Sequence, residues 1–271
     1  MKKILTIQDL SCLGKCSLTV ALPILSALGL ETTVLPTAVL STHTAFPDPK
    51  VCDLSENILP FGAHWCAQGA EFDGMYVGYL GTNAQVEAVL KLREEFPQGL
   101  LFVDPVMGDH GKLYSRFDMD YVAAMRRLCA QADVIAPNLT EACLLANRPY
   151  EETPSVGFLQ ELMAILLELG CGCVVITGVS FTEGKTGAVA ALNNEGIFVA
   201  EADKLPQSYH GTGDIFASVC AGSLVKGAPL DHALQLAVDF TARCIGLTVQ
   251  PDARFGVQFE KALPYLFGEN P

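Results

Sequence analysis

Two glycines flank a threonine just before an apolar run that reads as a long helix: Gly211-Thr212-Gly213-Asp214, then Ile215-Phe216-Ala217. Glycine lets a backbone turn and approach a ligand closely. The unpaired N–H groups of a first helical turn can then face a phosphate. A carboxylate such as Asp214 is not needed to bind an anion and repels one. At this place it suits a general base that takes a proton from an attacking hydroxyl. The plainer alternative is an aspartate that stabilises a helix N-terminus through the dipole. Three further segments carry matching chemistry. Asp104 and Asp109 bracket Pro105-Val106-Met107-Gly108 after an apolar strand. Carboxylates at a strand end suit Mg²⁺ shared with substrate phosphates, or are ordinary turn residues. Asn138 and Glu141 in Pro137-Asn138-Leu139-Thr140-Glu141 fit a phosphate-side site or a variant capping box. Thr177-Gly178 ends another apolar run and is weak alone.

The elements that position these residues alternate along the chain. Ile4 to Ile7, Val34 to Leu40, Met75 to Leu80, Leu100 to Val103, Val134-Ile135 and Cys173 to Ile176 read as strands. Lys15 to Leu28, Leu54 to Gly69, Asn83 to Phe96, Asp118 to Cys129 and Leu159 to Leu169 have helical apolar spacing, and a helix starts near Thr140. Thr186 to Leu192 and Ile197 to Ala200 form a β-hairpin across the four-residue turn 193–196. Asp214 to Lys226, Leu230 to Thr248 and Phe255 to Phe267 are predicted helices. Such a succession implies a mostly parallel sheet covered by helices on both faces, in one domain over 1–271. Ligands in these sheets sit beyond the carboxyl ends of the strands. The polar and glycine-rich residues collect there: Gln8-Asp9, Ser41-Thr42-His43-Thr44, Gly78-Tyr79-Leu80-Gly81, Asp104 to Asp109, Asn138 to Glu141 and Thr177-Gly178.

Composition narrows the function classes. The chain has 271 residues, half of them hydrophobic, and a formal net charge of −13. No basic block is present, so nucleic acid and anionic membrane are poor partners. No apolar stretch is long and uncharged enough to span a bilayer, and none makes a secretory leader, which points to a cytoplasmic protein. The 10 cysteines form no C-x-x-C pair and read as reduced thiols rather than a zinc site. Gly184-Lys185-Thr186 has the end of a P-loop, but the first glycine is replaced by Val179 and a hairpin follows instead of a helix. No Gly-x-Gly-x-x-Gly follows the first strand, and no Gly-x-Ser-x-Gly elbow occurs.

Taken together, Asp104-Pro105-Val106-Met107-Gly108-Asp109, Pro137-Asn138-Leu139-Thr140-Glu141 and Gly211-Thr212-Gly213-Asp214 resemble, in order and spacing, the ribokinase-like kinases. Asp-Pro-Val-Met-Gly-Asp, Gly78-Tyr79-Leu80-Gly81 and Ser41-Thr42-His43-Thr44 resemble the vitamin B6 (pyridoxal/pyridoxamine) kinases in particular. The resemblance spans nearly the whole chain. It implies a ribokinase-like three-layer sandwich with an edge hairpin, and transfer of a phosphoryl group from ATP to the hydroxymethyl group of a B6 vitamer. It makes Asp214 the base and Gly211, Thr212 and Gly213 the anion hole. It puts Asp104 and Glu141 near Mg²⁺. Asp109, Asn138, Thr177, Gly178 and Thr212 fall on the nucleotide side, with 110–116 a flexible cover over ATP. Thr44 and Tyr79 line the vitamer pocket, with His43 close by. It also implies a homodimer and a monovalent cation such as K⁺. One departure concerns the first strand end: the family carries Gln-Ser there, with the serine on the pyridine ring. This chain has Gln8-Asp9, with Ser11 two residues on. A carboxylate at that place can pair with a protonated ring nitrogen or an amine, or face away. Hydroxymethylpyrimidine kinase, whose motif resembles Gly-Thr-Gly-Cys, is the alternative on the same fold. A non-catalytic vitamer- or nucleotide-binding protein is the alternative of another class.

Overall fold

The computed structural model describes residues 1–193 and 196–267. Among the described residues, eleven strands and eight α-helices follow one another. They are β1 (Lys3–Ser11), α1 (Leu18–Ala27), β2 (Glu31–Leu40), β3 (Val51–Asp53), α2 (Ile58–Ala67), β4 (Gly74–Val77), α3 (Asn83–Glu95), β5 (Leu100–Val103), β6 (Gly108–Asp109), β7 (Lys112–Leu113), α4 (Met119–Cys129), β8 (Val134–Ile135), α5 (Leu139–Ala146), α6 (Val156–Leu167), β9 (Cys173–Val179), β10 (Lys185–Leu192), β11 (Ile197–Asp203), α7 (Thr212–Lys226) and α8 (Leu230–Leu247).

Nine strands form one sheet in the order β11-β10-β9-β8-β5-β4-β1-β2-β3. From β2 through β9 neighbouring strands are parallel, while β3 and the β10–β11 hairpin add antiparallel edges. Side chains alternate faces along each strand, and burial follows this strictly. Leu5, Ile7, Met75, Val77, Leu101, Val103, Val174 and Ile176 pack toward α2 to α6. Ile4, Tyr76, Phe102, Cys173 and Val175 pack toward α1, α7 and α8. Three layers result because the parallel strands are apolar on both faces. The chain leaves β1 toward β2 on one side and returns at β4 on the other. The carboxyl ends of β1 and β4 therefore flank the switch point where a crevice opens.

Several boundaries differ from the sequence-based expectation. Helix α1 starts at Leu18 and not Lys15, because Ser17 takes a positive φ of 49°. The predicted helix from Leu54 opens as the 3₁₀ turn Ser55–Asn57 before α2. The predicted helix from Phe255 to Phe267 is instead a succession of 3₁₀ turns, Ala253–Phe255, Phe259–Lys261 and Leu263–Phe267. Gly256, at φ 78°, and Pro264 both interrupt helical hydrogen bonding there. The expected cover segment begins with a small hairpin, β6–β7, turned by His110 and Gly111 at φ 50° and 75°. Two positive φ values in succession make the tight turn that suits the twist of paired strands. Within the turn 193–196 of the β10–β11 hairpin, positions 194 and 195 lie outside the described residues. No helix among the described residues is long and apolar enough to cross a membrane.

The turn into β5 depends on one glycine. Gly99 holds φ 80°, and a Cβ there would lie 2.4 Å from the Asp73 carbonyl. Gly99→Ala meets backbone on one side and a disfavoured conformation on the other. We expect it to lower unfolding stability by about 1–3 kcal/mol in urea titration. A loss below the error of the titration would show that this turn can relax.

Candidate active site

A cavity of about 740 Å³ opens beyond the carboxyl ends of the parallel strands. Every candidate residue singled out above lies on its wall: Asp9, Ser11, His43, Thr44 and Tyr79 on one part, Asp104, Asp109, Asn138, Glu141, Thr177 and Gly178 on another, and Gly211 to Asp214 between. Each arrives at the end of its strand for the same reason. The apolar run stops where the sheet stops being covered on both faces, and polar backbone and side chains take over.

The turn into α7 is built by Gly211. It stands at the N-cap with φ 82°, and a Cβ on it would lie 2.1 Å from the Lys15 carbonyl oxygen. No side chain caps this helix end. A Cβ on Gly213 would meet nothing within 4 Å, so the backbone there borders open space. The first-turn N–H groups thus remain available to an anion. Asp214 sits one residue on. Burial pushes its carboxyl up to about 7, the nearby Asp9 charge adds to this, and an N–H from Ser17 partly offsets it. Ser218 Oγ donates to the Asp214 carbonyl oxygen at 2.5 Å, which holds the same turn.

Asp104 follows β5, with its N–H bonded to Val77 O across the sheet at 2.8 Å. Burial raises its pKa well above the usual carboxylate range, and the charges of Glu141 and Asp214 push the same way. Glu141 is buried and driven up to about 8 by desolvation. It also completes a capping box: Asn138 Oδ1 accepts the Glu141 N–H at 3.0 Å, and Glu141 Oε2 accepts the Asn138 N–H at 2.9 Å. Its Oε1 takes the Met107 N–H at 3.0 Å, and Asn138 Nδ2 donates to Gly108 O at 2.9 Å. The pair therefore fastens the segment after β5 to the start of α5. The Asn138 amide is spent on protein contacts at both ends. Asp109 is exposed and accepts the His110 N–H at 2.8 Å. Thr177 bridges to Asn138 at the end of β9, and Gly178 at φ 74° faces open space.

Among the described residues no group of three or more His, Cys, Asp or Glu side chains could hold a metal alone. Asp104 and Glu141 are a pair of hard-oxygen donors. They crowd each other's charge, and among the described lining residues the lone Lys or Arg of the cavity is Lys204. That donor set fits a divalent cation whose remaining ligands are phosphate oxygens and water.

The opposite wall is aromatic and closed. His43 is buried, its Nδ1 accepts the Ala45 N–H at 3.3 Å, and its Nε2 stands 2.6 Å from Arg254 O. These contacts fix the Nε2–H tautomer, and burial lowers its basicity. His210 packs edge-on against it at 4.0 Å between ring centroids and is driven down to about 4, mainly by burial. Gly14 makes room for the imidazole, since a Cβ there would lie 2.4 Å from His43 Cδ2. Tyr79 packs against Phe117 at 5.8 Å, and its phenol is raised by burial. Thr44 is exposed at the cavity mouth.

Sequence reasoning passes over two parts of this wall and gives a third, Tyr114, only as part of the cover segment 110–116. Ser17 carries its signal in tertiary contact alone. Tyr114, whose phenol burial pushes up, follows β7 and closes over the acidic end. Val238, Thr241, Ala242 and Ile245 on α8, with Leu205 and Pro206, make an apolar slot. Small and β-branched residues at helical spacing on one face of α8 are its sequence trace.

With this geometry in place, comparison with known proteins gives one direction. A family profile described as phosphomethylpyrimidine kinase matches residues 24–257. The crystal structure of pyridoxal kinase from Lactobacillus plantarum superposes with TM-score 0.92 at 38 % identity, covering 99 % of this chain and 97 % of that one. A Bacteroides thetaiotaomicron protein crystallised with pyridoxal, and named for phosphomethylpyrimidine kinase, gives TM-score 0.92 at 39 % identity over 98 % of this chain and 95 % of its own. A pyridoxal kinase of Rubrobacter xylanophilus is 29 % identical over 265 residues, covering 93 % of this chain and 89 % of that one. The chain belongs to the phosphomethylpyrimidine kinase family, among its ribokinase-like pyridoxal kinases.

Proposed function

We propose that the chain, as one kinase domain, transfers the γ-phosphoryl group of ATP to the hydroxymethyl oxygen of a B6 vitamer. The observation that carries this reading is Asp214. Its carboxyl, raised to about 7, stands in the first turn of a helix whose glycine-built N-terminus opens into the cavity. A base poised near neutrality beside an anion site is the pair that phosphoryl transfer to an alcohol requires. Membership in a family of pyridoxal kinases supports the acceptor, as does the pyridoxal held by the Bacteroides thetaiotaomicron relative. Its family name keeps hydroxymethylpyrimidine as the acceptor to be measured beside the vitamers.

In this reading the nucleotide base lies in the slot between α8 and Leu205-Pro206. The phosphates run toward the Gly211, Thr212 and Gly213 amides. The acceptor lies between Asp9, His43 and Tyr79. Asp214 takes the hydroxymethyl proton, the oxygen attacks the γ-phosphorus, and the bond to the β,γ-bridging oxygen breaks to leave ADP. Mg²⁺ would be held by Asp104 and, with its remaining lone pairs or through water, by Glu141. When bound it neutralises charge on the phosphates. The protein's own contribution is positioning: the capping box on Asn138 and Glu141 keeps Asp104 and the β6–β7 hairpin in register with the phosphate site, and Gly111 N–H to Thr140 Oγ1 at 2.9 Å ties that hairpin to α5.

Asp214→Asn keeps the shape and removes the base. In an ADP-release assay with pyridoxal, pyridoxamine, pyridoxine and hydroxymethylpyrimidine side by side, kcat is expected to fall about 10²–10⁴-fold while ATP affinity persists. Near wild-type turnover would reduce Asp214 to a helix-end carboxylate.

Stability separates the same two roles. The folded state holds the Asp214 proton more tightly than the unfolded chain does. Its ionisation therefore costs stability as pH rises from the ordinary 3.8 toward 7, and the cost is complete above about 7. This outweighs the ~0.3–1 kcal/mol a helix N-terminus returns to a carboxylate. Asp214→Asn should thus raise Tm at pH 8, on the order of 2–4 °C or more for a chain of this size. A lower Tm at pH 8 would mean that the helix dipole dominates.

A further inference from the structure

Asp9 is 4 % exposed near the end of β1, at the switch point of the sheet, and lines the cavity. Ser11 Oγ donates to its Oδ2 at 2.8 Å, and the Ser17 hydroxyl is a second donor. Among the described residues the opposite charge that acts on it is that of His43, and only when that imidazole is protonated. Burial disfavours that protonation, and the Ala45 N–H occupies the Nδ1 lone pair of His43. Lys204 follows β11, six strands from β1 in the sheet order. Asp214, whose ionisation the Asp9 charge disfavours, is of the same sign. Burying a carboxylate without a counter-charge is costly, yet this one opens onto space where a ligand fits.

Ser17 shows that the arrangement is held against resistance. It stands at the N-cap position of α1, where a serine hydroxyl ordinarily accepts a first-turn N–H. It makes no such bond. Its backbone holds φ 49° and ψ −130°, a conformation that favours glycine. Such a conformation persists where the surroundings over-determine it. Here the Ser17 hydroxyl favours the ionised form of Asp9, and its N–H that of Asp214. One strained residue thus spans the proposed acceptor carboxylate and the proposed base.

We propose that Asp9, with Ser11 and Ser17 as its hydroxyl donors, is a cation-recognising subsite that selects acceptors carrying a positively charged nitrogen, pyridoxamine foremost among the vitamers. This rests on the B6 reading of the cavity. An ammonium supplies the counter-charge the protein withholds. An acceptor without it leaves the buried carboxylate unpaired, which is the situation that discriminates most strongly between similar ligands. Ser17 acts as a positioning residue that fixes the Asp9 carboxylate.

The test reads binding. Dissociation constants for pyridoxamine and pyridoxine, which lacks the ammonium, are measured by calorimetry on wild type, Asp9→Asn and Ser17→Gly. Asn keeps the shape and an oxygen for the serine hydroxyls but has no charge. Gly accepts the Ser17 backbone, keeps its N–H and deletes the hydroxyl. Wild type is expected to prefer pyridoxamine, and Asp9→Asn to cut that preference by about 10-fold or more. Ser17→Gly should keep a Tm at or above wild type and cut the preference by a smaller factor, roughly 2–10-fold. A wild type with no preference for pyridoxamine, or a folded Asp9→Asn whose preference stays within twofold, overturns the subsite. Absence of ADP release in the presence of an intact, Asp9-dependent pyridoxamine preference would instead count against the phosphoryl-transfer reading and leave the subsite standing.

Discussion

Crowding of like charge in a confined space governs this structure. Asp9, Asp104, Glu141 and Asp214 come from four strand ends or the helices that follow them, and all reach one cavity. Burial raises each of their pKa values, and for Asp104, Glu141 and Asp214 neighbouring carboxylates raise them further. A protein interior does not gather uncompensated carboxylates for stability. In the proposed function the arrangement would become favourable with ligands that bring positive charge: a divalent cation with the phosphates at one end, and a cationic nitrogen at the other.

The scaffold holds these groups together at one edge of the sheet by backbone constraints. Gly211 turns the chain into α7 where any side chain would strike Lys15, and Gly14 admits the His43 ring. Ser17 accepts a conformation that serine disfavours. His43, His210 and the 253–256 segment close the acceptor side through ring packing and the bond to Arg254 O. Each constraint is local, but all of them meet at the carboxyl edge of the sheet. A rigid three-layer core is what allows that edge to hold strain.

Much of this is legible in the sequence. Strand ends are marked where apolar runs give way to Asp, Asn, Thr and Gly, because burial on both faces stops there. The parallel sheet and the edge hairpin follow from the order of such runs. For Asn138 and Glu141 the capping reading is realised in the structure, and the same hydrogen bonds leave Glu141 beside Asp104. Less legible is whatever depends on contacts distant in sequence. The strained backbone at Ser17 goes with its place between Asp9, on the preceding strand, and Asp214, near the other end of the chain. The β6–β7 hairpin is too short for any periodicity. From 255 to 267 the apolar spacing imitates a helix, while Gly256 and Pro264 break it into 3₁₀ turns.

The central claim is that burial and the Asp9 charge together make Asp214 a base near neutrality. A ¹³C-carboxyl NMR titration of the protein, with Asp214 assigned by its loss in Asp214→Asn, measures this directly. The account predicts a midpoint near 7 that moves lower in Asp9→Asn. A midpoint at the ordinary value near 3.8, unchanged by Asp9→Asn, would contradict it.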